Sequence, residues 1–436
     1  MHMQTFAGKS VLVVGAGKSG LAAAAFLRAR GATVVFSDTK PDLDFPVVGQ
    51  HDEASDGFDL VFQSPGVPLE LGLFERARQR GVPVFGELEL AAAELLGATV
   101  GITGANGKTT TTALVGHIFT EASLPTLVGG NIGTPITSLV DRSRADGWNI
   151  LELSSFQLET IAEFRARIGI VLNITPDHLD RHGTMERYTD AKARLVETLE
   201  GDGFAILNAA EPNTRALVKR TKAHTVWFNL DTPSSGSVAF DGERIWLGQV
   251  PLMLASSIPL VGRHNVENVM AAAAAAWLVG IKMEVIARAI ESFPGVEHRI
   301  EFVRDLDGVR YYNDSKATNV DAAEKAIDAF PGNLWIILGG KDKHSDYTPL
   351  AARLATKAKG ILLIGAAAPI IREHLTAANA TLPLSDCDTL EKAIRAARHF
   401  AAGGDVVLLS PACASFDQFQ SYEHRGRAFK QLVKEL

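Results

Sequence analysis

The sequence feature that most constrains the fold is a repeated alternation between short β-branched runs and longer Ala- and Leu-rich stretches. Each run is closed by Gly, Ser or Asn before the next helical stretch begins, which is typical of parallel α/β sheets. The predicted strands are Val11–Val14, Thr33–Phe36, Leu60–Phe62, Val100–Thr103, Ile150–Leu153, Ile168–Ile174, Trp335–Leu338, Ile361–Ile364 and Val406–Leu409. Such sheets bind ligands beyond the carboxyl ends of their strands, so we expect the functional residues in the loops that follow.

The length of the chain exceeds what one hydrophobic core usually supports. Its 436 residues predict about three domains. Two breaks in the pattern mark boundaries, one near Ala93–Ala98 and one at the turn Phe293–Val296. We therefore expect domains over 1–93, 94–295 and 296–436. Between Val226 and Leu260, short polar-alternating pieces predict a small antiparallel insertion in the middle domain.

Charge and cysteine content exclude several classes of protein. The formal net charge of −7 argues against a general nucleic-acid binder, because such proteins neutralise phosphates with clustered Lys and Arg. Cys387 and Cys413 are too few for a disulfide framework, and no basic-then-apolar leader opens the chain, so we expect a reducing cytoplasm. Apolar stretches such as Ala271–Ala276 fall well short of the roughly 20 residues of a membrane helix, so we predict no membrane span.

A glycine-rich turn, Gly15-Ala-Gly-Lys-Ser-Gly20, follows the first predicted strand and precedes a helix predicted over Leu21–Arg30, and Asp38 ends the next strand. This spacing is that of a dinucleotide site, in which glycines let a pyrophosphate approach a helix N-terminus and the Asp binds a ribose. The pattern by itself is weak. A site for NAD or FAD, a tight turn without a ligand and a site for another nucleotide-like ligand all remain open.

A second loop, Thr103-Gly-Ala-Asn-Gly-Lys-Thr-Thr110, also lies between a predicted strand and a predicted helix. Backbone N–H groups of such a loop surround phosphates, the Lys108 ammonium bridges the outer ones, and the Thr109 hydroxyl can reach Mg²⁺. The strict consensus has Gly where this chain has Ile102. The Gly-Lys-Thr core in its strand-to-helix setting nevertheless predicts a mononucleotide site.

Side chains suited to a metal ion follow nearby strands. Glu152 lies in one predicted strand and His178 follows another. A carboxylate and an imidazole suit a divalent ion that also binds phosphate oxygens. Taken alone, His178 is more readily interpreted as a residue that fixes a loop, and for Glu152 a structural and a functional role are equally plausible. Because both occur with a phosphate loop, we interpret both as metal ligands. Lys192 lies on a helix predicted over Met185–Leu199, where a solvated lysine is the default, and the pattern gives it no role.

The last third of the chain holds three polar loops at predicted strand ends: Asn313–Asn319, Gly339–Lys343 and Ser410–Gln418. Their hydroxyls, amides and lysines suit a small carboxylate-bearing molecule and the ribose or phosphates of ATP. Each loop alone could be a capped turn, but we expect all three on one side of one sheet. Cys413 has small apolar neighbours and no adjacent His, which favours a packed residue over a nucleophile.

Together these motifs resemble those of the Mur ligase family. The matching segments are Thr103–Thr110, Gly130–Gly133, Glu152–Gln157, Asp177–Arg181, His264-Asn265, Asn313–Asn319 and Ser410–Phe419. The last two are similar to those of the D-glutamate-adding branch of the family, and the likeness runs in order through essentially the whole chain. It implies an α/β enzyme with a Rossmann-like N-terminal domain that binds a UDP-sugar, a central P-loop ATPase-type domain and a Rossmann-like C-terminal domain that binds the amino acid.

The resemblance changes the interpretation of the glycine turn, because in this family the turn binds uridine diphosphate and no nicotinamide is expected. The residues implied to bind the UDP-linked substrate are Gly17, Lys18, Ser19, Asp38, Thr39, Ser64, Gly66, Asn131 and His178. Those implied to bind ATP are Gly104, Asn106, Gly107, Lys108, Thr109, Thr110, Asn268, Arg299 and Asp314.

The resemblance also implies the catalytic and metal-binding residues. Thr109 and Glu152 would serve one Mg²⁺ and His178 would help to bind a second. Lys192 matches a lysine that the family carries as a carbamate near the metals. Lys108, Glu152, His178 and Lys192 are therefore the implied catalytic residues.

The implied activity is the ATP-dependent ligation of D-glutamate to UDP-N-acetylmuramoyl-L-alanine through an acyl phosphate, in peptidoglycan precursor synthesis. The implied D-glutamate contacts are Thr318, Lys343, Ser415 and Tyr422. Two positions depart from the pattern, since position 422 is Tyr where those enzymes have Phe, and Lys341 stands where they often have an acid. We expect a cytoplasmic monomer.

Three alternatives remain. Another Mur ligase would add a different amino acid or a dipeptide, and a folylpolyglutamate-type ligase shares the amide-forming chemistry but lacks the N-terminal nucleotide-sugar domain. A nucleotide-dependent switch would form no amide and would carry a guanine-specifying Asn-Lys-x-Asp loop, which the sequence does not contain.

Overall fold

The structure is a computed structural model that describes residues 6–39, 47–378 and 382–436. Over these residues the strands form three sheets, each with helices along it. The predicted α/β class is confirmed. The expected strands are present, most of them with shifted ends; the run expected over Ile168–Ile174, for instance, ends as a strand at Val171, whereas Val406–Leu409 is unchanged.

Five strands of the described residues form the first sheet, in the order β3-β2-β1-β4-β5, and all pair in parallel. They are β1 (Ser10–Val14), β2 (Thr33–Ser37), β3 (Val47–Val48), β4 (Leu60–Gln63) and β5 (Val84–Phe85). The helices of this region are α1 (Lys18–Ala29), α2 (Gly72–Gln79) and α3 (Glu87–Ala92). Val11 and Val13 pack in one core and Leu12 and Val14 in another, because both faces of the sheet are covered.

The second sheet contains nine described strands in the order β14-β13-β12-β11-β10-β9-β6-β8-β7. They are β6 (Ala98–Thr103), β7 (Thr126–Gly130), β8 (Trp148–Glu152), β9 (Ile168–Val171), β10 (Phe204–Asn208), β11 (His224–Leu230), β12 (Ser237–Phe240), β13 (Arg244–Leu247) and β14 (Val250–Leu254). The helices are α4 (Lys108–Glu121), α5 (Ser155–Leu158), α6 (Leu179–His182), α7 (Met185–Glu197), α8 (Pro212–Ala216), α9 (Arg263–Leu278) and α10 (Met283–Glu291).

The expected antiparallel insertion is an extension of this sheet. The strand β13 is antiparallel to both of its neighbours, β12 and β14, as predicted. The segment from Val226 to Leu230, however, belongs to β11, which runs parallel to both β10 and β12. The predicted start of the insertion at Val226 was therefore wrong. The polar alternation at this point comes from β11, a parallel strand with one partly exposed face.

The third sheet has six described strands in the order β15-β16-β20-β17-β18-β19, and β15 alone among them is antiparallel to its neighbour. They are β15 (Glu301–Leu306), β16 (Val309–Asn313), β17 (Leu334–Gly339), β18 (Ala358–Ile364), β19 (Leu384–Asp388) and β20 (Val406–Leu409). The helices are α11 (Val320–Asp328), α12 (Leu350–Lys357), α13 (Ala368–Ala377), α14 (Leu390–Phe400) and α15 (Tyr422–Lys434).

The chain forms two compact units. One runs to Ser257 and includes Val266–Ser292, and the other comprises Ile258–Asn265 and Phe293–Leu436. The division into three domains at 93/94 and 295/296 stays a prediction. Within the described residues, no helix is both long enough and apolar enough to cross a membrane.

Candidate functional site

The loop within Thr103–Thr110, which we term the phosphate-type loop, connects β6 to α4 in the first unit. Gly107 caps α4 with a φ of 84°, and a Cβ at this position would lie 2.3 Å from the Asn268 side-chain oxygen. Both facts require glycine here. The Lys108 ammonium lies over the loop and donates to the carbonyls of Gly104 and Ala105, each at 2.8 Å. The loop thus presents a helix N-terminus and a cation at one place, which suits a polyphosphate.

The loop is held from the side of β9 by Asn173. The Asn106 N–H donates to the Asn173 side-chain oxygen at 2.8 Å, and the Ala105 N–H donates to the Asn173 carbonyl at 3.0 Å. The Asn173 amide nitrogen in turn donates to the Asn106 carbonyl at 3.2 Å. The segment that leads from β9 towards His178 is therefore fixed directly to the loop.

Glu152 ends β8, the strand beside β6 on the other side. It lies opposite Ile102 in the parallel register and its side chain is buried. Asn131 donates its side-chain N–H to Glu152 Oε1 at 2.8 Å and its backbone N–H to the Glu152 carbonyl at 2.8 Å. The second carboxylate oxygen, Oε2, is buried and has no hydrogen-bond partner among the described residues.

Lys192 lies on α7 with its side chain buried, so the default expectation of a solvated lysine was wrong. Its ammonium donates to the Gly104 carbonyl at 2.8 Å and to the Thr103 hydroxyl at 3.4 Å, directly beneath the phosphate-type loop. Burial, and then the charge of Lys108, hold the pKa of Lys192 well below its ordinary value. Burial therefore disfavours the charged ammonium form of this lysine.

His178 caps the N-terminus of the single-turn helix α6 in a left-handed conformation, with φ 51° and ψ 33°. Its side chain is half exposed, and its Nε2 lies 3.5 Å from an oxygen of Asp177. The ring also contacts Phe156, with 5.0 Å between ring centroids. Since β8 and β9 flank β6, the structure brings Glu152 and the segment carrying His178 to the two sides of the loop.

The glycine turn of the first sheet lines a cavity of about 330 Å³. Of the residues expected to bind the UDP-linked substrate, the cavity is lined by Gly17, Lys18, Ser19, Ser64, Gly66 and Asn131. Asp38 lies behind the turn, where its carboxylate accepts the Ala16 N–H at 2.7 Å. Asp38, Thr39 and His178 do not line this cavity.

The three polar loops of the second unit follow β16, β17 and β20, which are neighbouring and mutually parallel strands of the third sheet. The expectation that they lie on one side of the sheet is confirmed. Asp314 is buried in the first loop and accepts the Ser410 hydroxyl at 2.9 Å and the Ile300 N–H at 3.3 Å. Burial raises the pKa of Asp314 to about 7, while Ser410, Ile300 and the charge of Arg299 act in the opposite direction.

The residues expected to contact the amino acid lie among these loops. The Lys343 ammonium donates to the Thr318 carbonyl at 3.4 Å, so these two residues are brought together. Ser415 is buried in the loop after β20. Tyr422 begins α15, and its carbonyl accepts the Ser315 hydroxyl at 2.8 Å.

Comparison with known proteins identifies the family. Residues 102–276 match the Mur ligase middle domain, and residues 298–413 match the "Mur ligase, glutamate ligase domain". The chain is 54% identical over 437 residues to the UDP-N-acetylmuramoylalanine--D-glutamate ligase of Solibacter usitatus, with 98% of each chain covered. It is 48% identical over 446 residues to the protein of the same name from Acidobacterium capsulatum, covering 98% and 96%.

The chain belongs to the Mur ligase family.

Solved structures of Mur ligases share the fold at much lower identity. UDP-N-acetylmuramate-alanine ligase from Thermotoga maritima superposes with a TM-score of 0.63 at 19% identity, covering 98% of this chain and 99% of that one. The UDP-N-acetylmuramoylalanyl-D-glutamyl-2,6-diaminopimelate--D-alanyl-D-alanyl ligase from Acinetobacter baumannii gives 0.60 at 16% identity, covering 100% and 92%. The Mur ligase fold therefore extends over essentially the whole chain.

Sequence reasoning missed a residue that organises the loops of this Mur ligase. Arg425 is fully buried and donates to the Ser315 hydroxyl and carbonyl, each at 2.9 Å, and to the carbonyls of Cys413 and Ala414 at 3.1–3.3 Å. It thereby ties the loop of Asp314 to that of Ser415. Nothing in the sequence around it signals this role, because an arginine in a polar helix is ordinarily solvated.

Cys413 is a packed residue of the Mur ligase, in agreement with the expectation. Its side chain is buried and its Sγ lies 3.0 Å from the Tyr347 hydroxyl. Burial raises the pKa of the Cys413 thiol to about 11, which disfavours the nucleophilic thiolate. Across the described residues, no group of three or more His, Cys, Asp and Glu side chains is arranged to hold a metal ion.

Proposed function

We propose that this Mur ligase joins D-glutamate to UDP-N-acetylmuramoyl-L-alanine with hydrolysis of ATP to ADP and phosphate, in peptidoglycan precursor synthesis. The curated relatives that bear the name of this activity match nearly the full chain at 54% and 48% identity. The observation that carries the chemistry is the meeting of Lys108, Glu152 and Lys192 around one phosphate-type loop. The same proposal places the enzyme in the cytoplasm as a monomer.

ATP is proposed to bind with its phosphates in the loop between β6 and α4. Gly104, Asn106 and Gly107 present the loop backbone, and Lys108, Thr109 and Thr110 begin α4, whose N-terminus favours anions. Asn268 packs against Gly107 and accepts the Thr111 hydroxyl at 3.3 Å, which places it beside the same loop. We also propose that Arg299 and Asp314 contact the ATP base and ribose.

The proposal includes two Mg²⁺ ions. Their ligands would be Thr109, Glu152, His178 and Lys192. The residues fit such a group, because Glu152 Oε2 is a buried carboxylate oxygen without a partner among the described residues. When bound, Mg²⁺ supplies positive charge that offsets the charge on the transferring phosphoryl oxygens. Asn131 would hold the other oxygen of Glu152 and so fix the direction in which Oε2 points.

A carbamate on Lys192 is part of this proposal. A neutral lysine amine attacks CO₂, forming an N–C bond and releasing one proton, and so becomes an anionic carbamate. Two observations support it: Lys192 is buried within reach of the Gly104 carbonyl, and its surroundings disfavour the ammonium form. A carbamate would turn a cation beneath the loop into a metal ligand.

The UDP-linked substrate is proposed to bind in the cavity lined by Gly17, Lys18, Ser19, Ser64, Gly66 and Asn131, with Asp38, Thr39 and His178 as further contacts. The open backbone of the glycine turn suits a diphosphate. For D-glutamate the proposed contacts are Thr318, Lys343, Ser415 and Tyr422. Lys343 supplies the positive charge that a dicarboxylate requires.

The proposed reaction has two steps. A carboxylate oxygen of the substrate attacks the γ-phosphorus, the bond from that phosphorus to its bridging oxygen breaks, and ADP leaves an acyl phosphate behind. Lys108 would stabilise the charge on the phosphoryl oxygens during this transfer. The D-glutamate amine then attacks the acyl carbon, the tetrahedral oxyanion collapses, and the amide forms as phosphate and one proton are released.

Phosphate release tests this function against its alternatives. Purified enzyme with ATP, Mg²⁺ and UDP-N-acetylmuramoyl-L-alanine is expected to release phosphate with D-glutamate, and far less with L-glutamate, L-lysine or no amino acid. Release with another amino acid would instead indicate a different Mur ligase specificity. Release that is indifferent to the acceptor would refute the ligase proposal and favour a nucleotide-dependent switch.

A further inference from the structure

His178 and Lys192 are connected through a chain of three packed aromatic side chains, Phe156, His182 and Tyr188, which we term the aromatic bridge. Phe156 contacts the His178 ring at 5.0 Å and stacks on the His182 ring at 5.6 Å, with 24° between the planes. His182 contacts Tyr188 at 5.2 Å, and the Lys192 ammonium lies over the Tyr188 ring at 4.6 Å. The central member of the bridge is therefore His182.

The His182 ring is fixed by contacts at both of its nitrogens. Its side chain is only 2% exposed, its Nε2 lies 2.9 Å from the Ser155 hydroxyl, and its Nδ1 lies 3.2 Å from Glu159 Oε1. The other oxygen of Glu159 accepts a hydrogen bond from Arg181 at 3.2 Å. Glu159 thus joins the end of α5 to two successive residues of α6.

This attachment matters because α6 cannot hold its own position. It is one turn long, and an isolated turn of helix is not stable by itself. His178 precedes it in a left-handed conformation, which a non-glycine residue keeps only when its surroundings enforce it. The contacts of α6 with Glu159, Ser155 and Phe156 are the surroundings that do so.

The same contacts link the position of His178 to that of Glu152. The short helix α5 begins three residues after Glu152 and is closed at its start by a reciprocal capping interaction between Ser154 and Gln157. Through Ser155 and Glu159, α5 then holds α6. The proposed metal ligand on β8 and the one before α6 are therefore placed by a single connected set of side chains.

We propose that Glu159, acting through His182, is a positioning residue that sets His178 and Lys192 relative to Glu152 for metal binding. The inference rests on the proposed function, because it assumes that these three residues serve the metal site. Glu159 touches neither substrate nor metal in this proposal. Removing its contacts would misplace ligands that must be held to within a fraction of an ångström.

Two variants of nearly unchanged size test the proposal. Glu159→Gln keeps an acceptor for Arg181 but removes the charge beside His182, and His182→Phe keeps the stacked ring but removes both nitrogen contacts. Asp190→Asn is the matched control, because Asp190 lies on α7, is 54% exposed and pairs with Arg220. Circular dichroism and thermal unfolding establish that each variant is folded.

The decisive measurement is metal affinity, determined with Mn²⁺ in place of Mg²⁺ by electron paramagnetic resonance in the presence of ADP. We expect both variants to bind Mn²⁺ about tenfold more weakly or worse, as for other residues that orient metal ligands, and the control to match the wild type. We further expect kcat to fall about tenfold, because the proposed metal ligands are no longer aligned. A merely structural role would lower the unfolding temperature and leave the Mn²⁺ affinity unchanged.

Wild-type Mn²⁺ affinity in both folded variants would overturn the inference, whatever their kcat. If either variant does not fold, Glu159→Ala with added formate replaces it, since Glu159, Arg181 and His182 line a cavity of about 450 Å³ through which formate can reach the vacated position. Formate is then expected to restore Mn²⁺ affinity, and failure to do so overturns the inference. If the wild type itself forms no amide, the proposed function fails whatever Glu159 does, so the two failures are distinguishable.

Discussion

Replacing Asp314 by asparagine should change the way in which stability depends on pH. Asp314 is buried beneath the loops of the second unit, and its pKa is raised from 3.8 to about 7, chiefly by burial. A carboxyl whose folded-state pKa is raised binds its proton more tightly in the folded state, so its contribution to stability is fully present below pH 3.8 and is lost as the pH rises through 7. Asp314→Asn removes this contribution while nearly keeping the shape.

The magnitude follows from the two pKa values. One pKa unit corresponds to about 1.4 kcal/mol, so between pH 5 and pH 7 the wild type should lose about 2 kcal/mol relative to Asp314→Asn. Above about pH 8 the difference should be constant, because Asp314 is then ionised in both states. Carboxylates with lowered pKa values, such as Asp405, act in the opposite direction, so the difference between the two proteins isolates Asp314.

Native-state hydrogen exchange measures this difference in stability in the strands next to Asp314. The free energy of opening is obtained from peptides covering β16 and β20, the strands that end beside Asp314 and Ser410, at several pH values and corrected for the intrinsic exchange rate. Asp386→Asn, an exposed change in the same sheet, provides the control for replacing a surface carboxylate by an amide. A difference between wild type and Asp314→Asn that is flat from pH 5 to pH 8 would refute the reasoning.

Four further predictions concern single side chains. Lys108→Ala should lower the rate of phosphate release at least about a hundredfold, because it removes the cation over the phosphate-type loop, and a variant with near wild-type turnover would contradict that role. Lys192→Ala should be inactive and should recover with short carboxylates that replace the carbamate, whereas normal activity without them would show the carbamate proposal to be wrong. Gly20→Ala should lower the free energy of unfolding in urea by about 1–3 kcal/mol, because its Cβ would lie 1.9 Å from the Gly15 carbonyl oxygen. Gly17→Ala should be tolerated, because the space around that position is open. Equal stability of the two variants would count against the turn geometry. Arg425→Met should cost at least about 3 kcal/mol of stability in the same measurement, since three buried carbonyls lose their donor, and a small change would mean that water satisfies them.

Much of the fold could be predicted from the sequence because its signals are local. The strand β1, the glycine turn and α1 follow from an apolar run, a spacing of glycines and an Ala-rich stretch, all within about 20 residues of chain. The loop before α4 is equally local, since Gly107 is demanded by its own backbone conformation. Parallel pairing also sends successive strand ends to one edge, so the three polar loops of the last sheet could be placed together before their contacts were seen.

Neither the surroundings of Lys192 nor the role of Arg425 could be predicted in this way. Both are charged residues on helices whose composition is that of a solvated surface, and the sequence around each carries no signal of burial. Lys192 is buried because α7 covers the strand beside the phosphate-type loop, and Arg425 because loops from two distant segments close around it.

The sequence by itself therefore determined the α/β class, the position of the phosphate-type loop and the residue types available to it. Tertiary structure decided which charges lie in a low-dielectric interior, which carboxylate oxygen of Glu152 has no hydrogen-bond partner among the described residues, and which side chains His182 contacts. The physical reason is that burial and electrostatic environment depend on residues far apart in the chain, whereas backbone conformation and periodicity depend on neighbours.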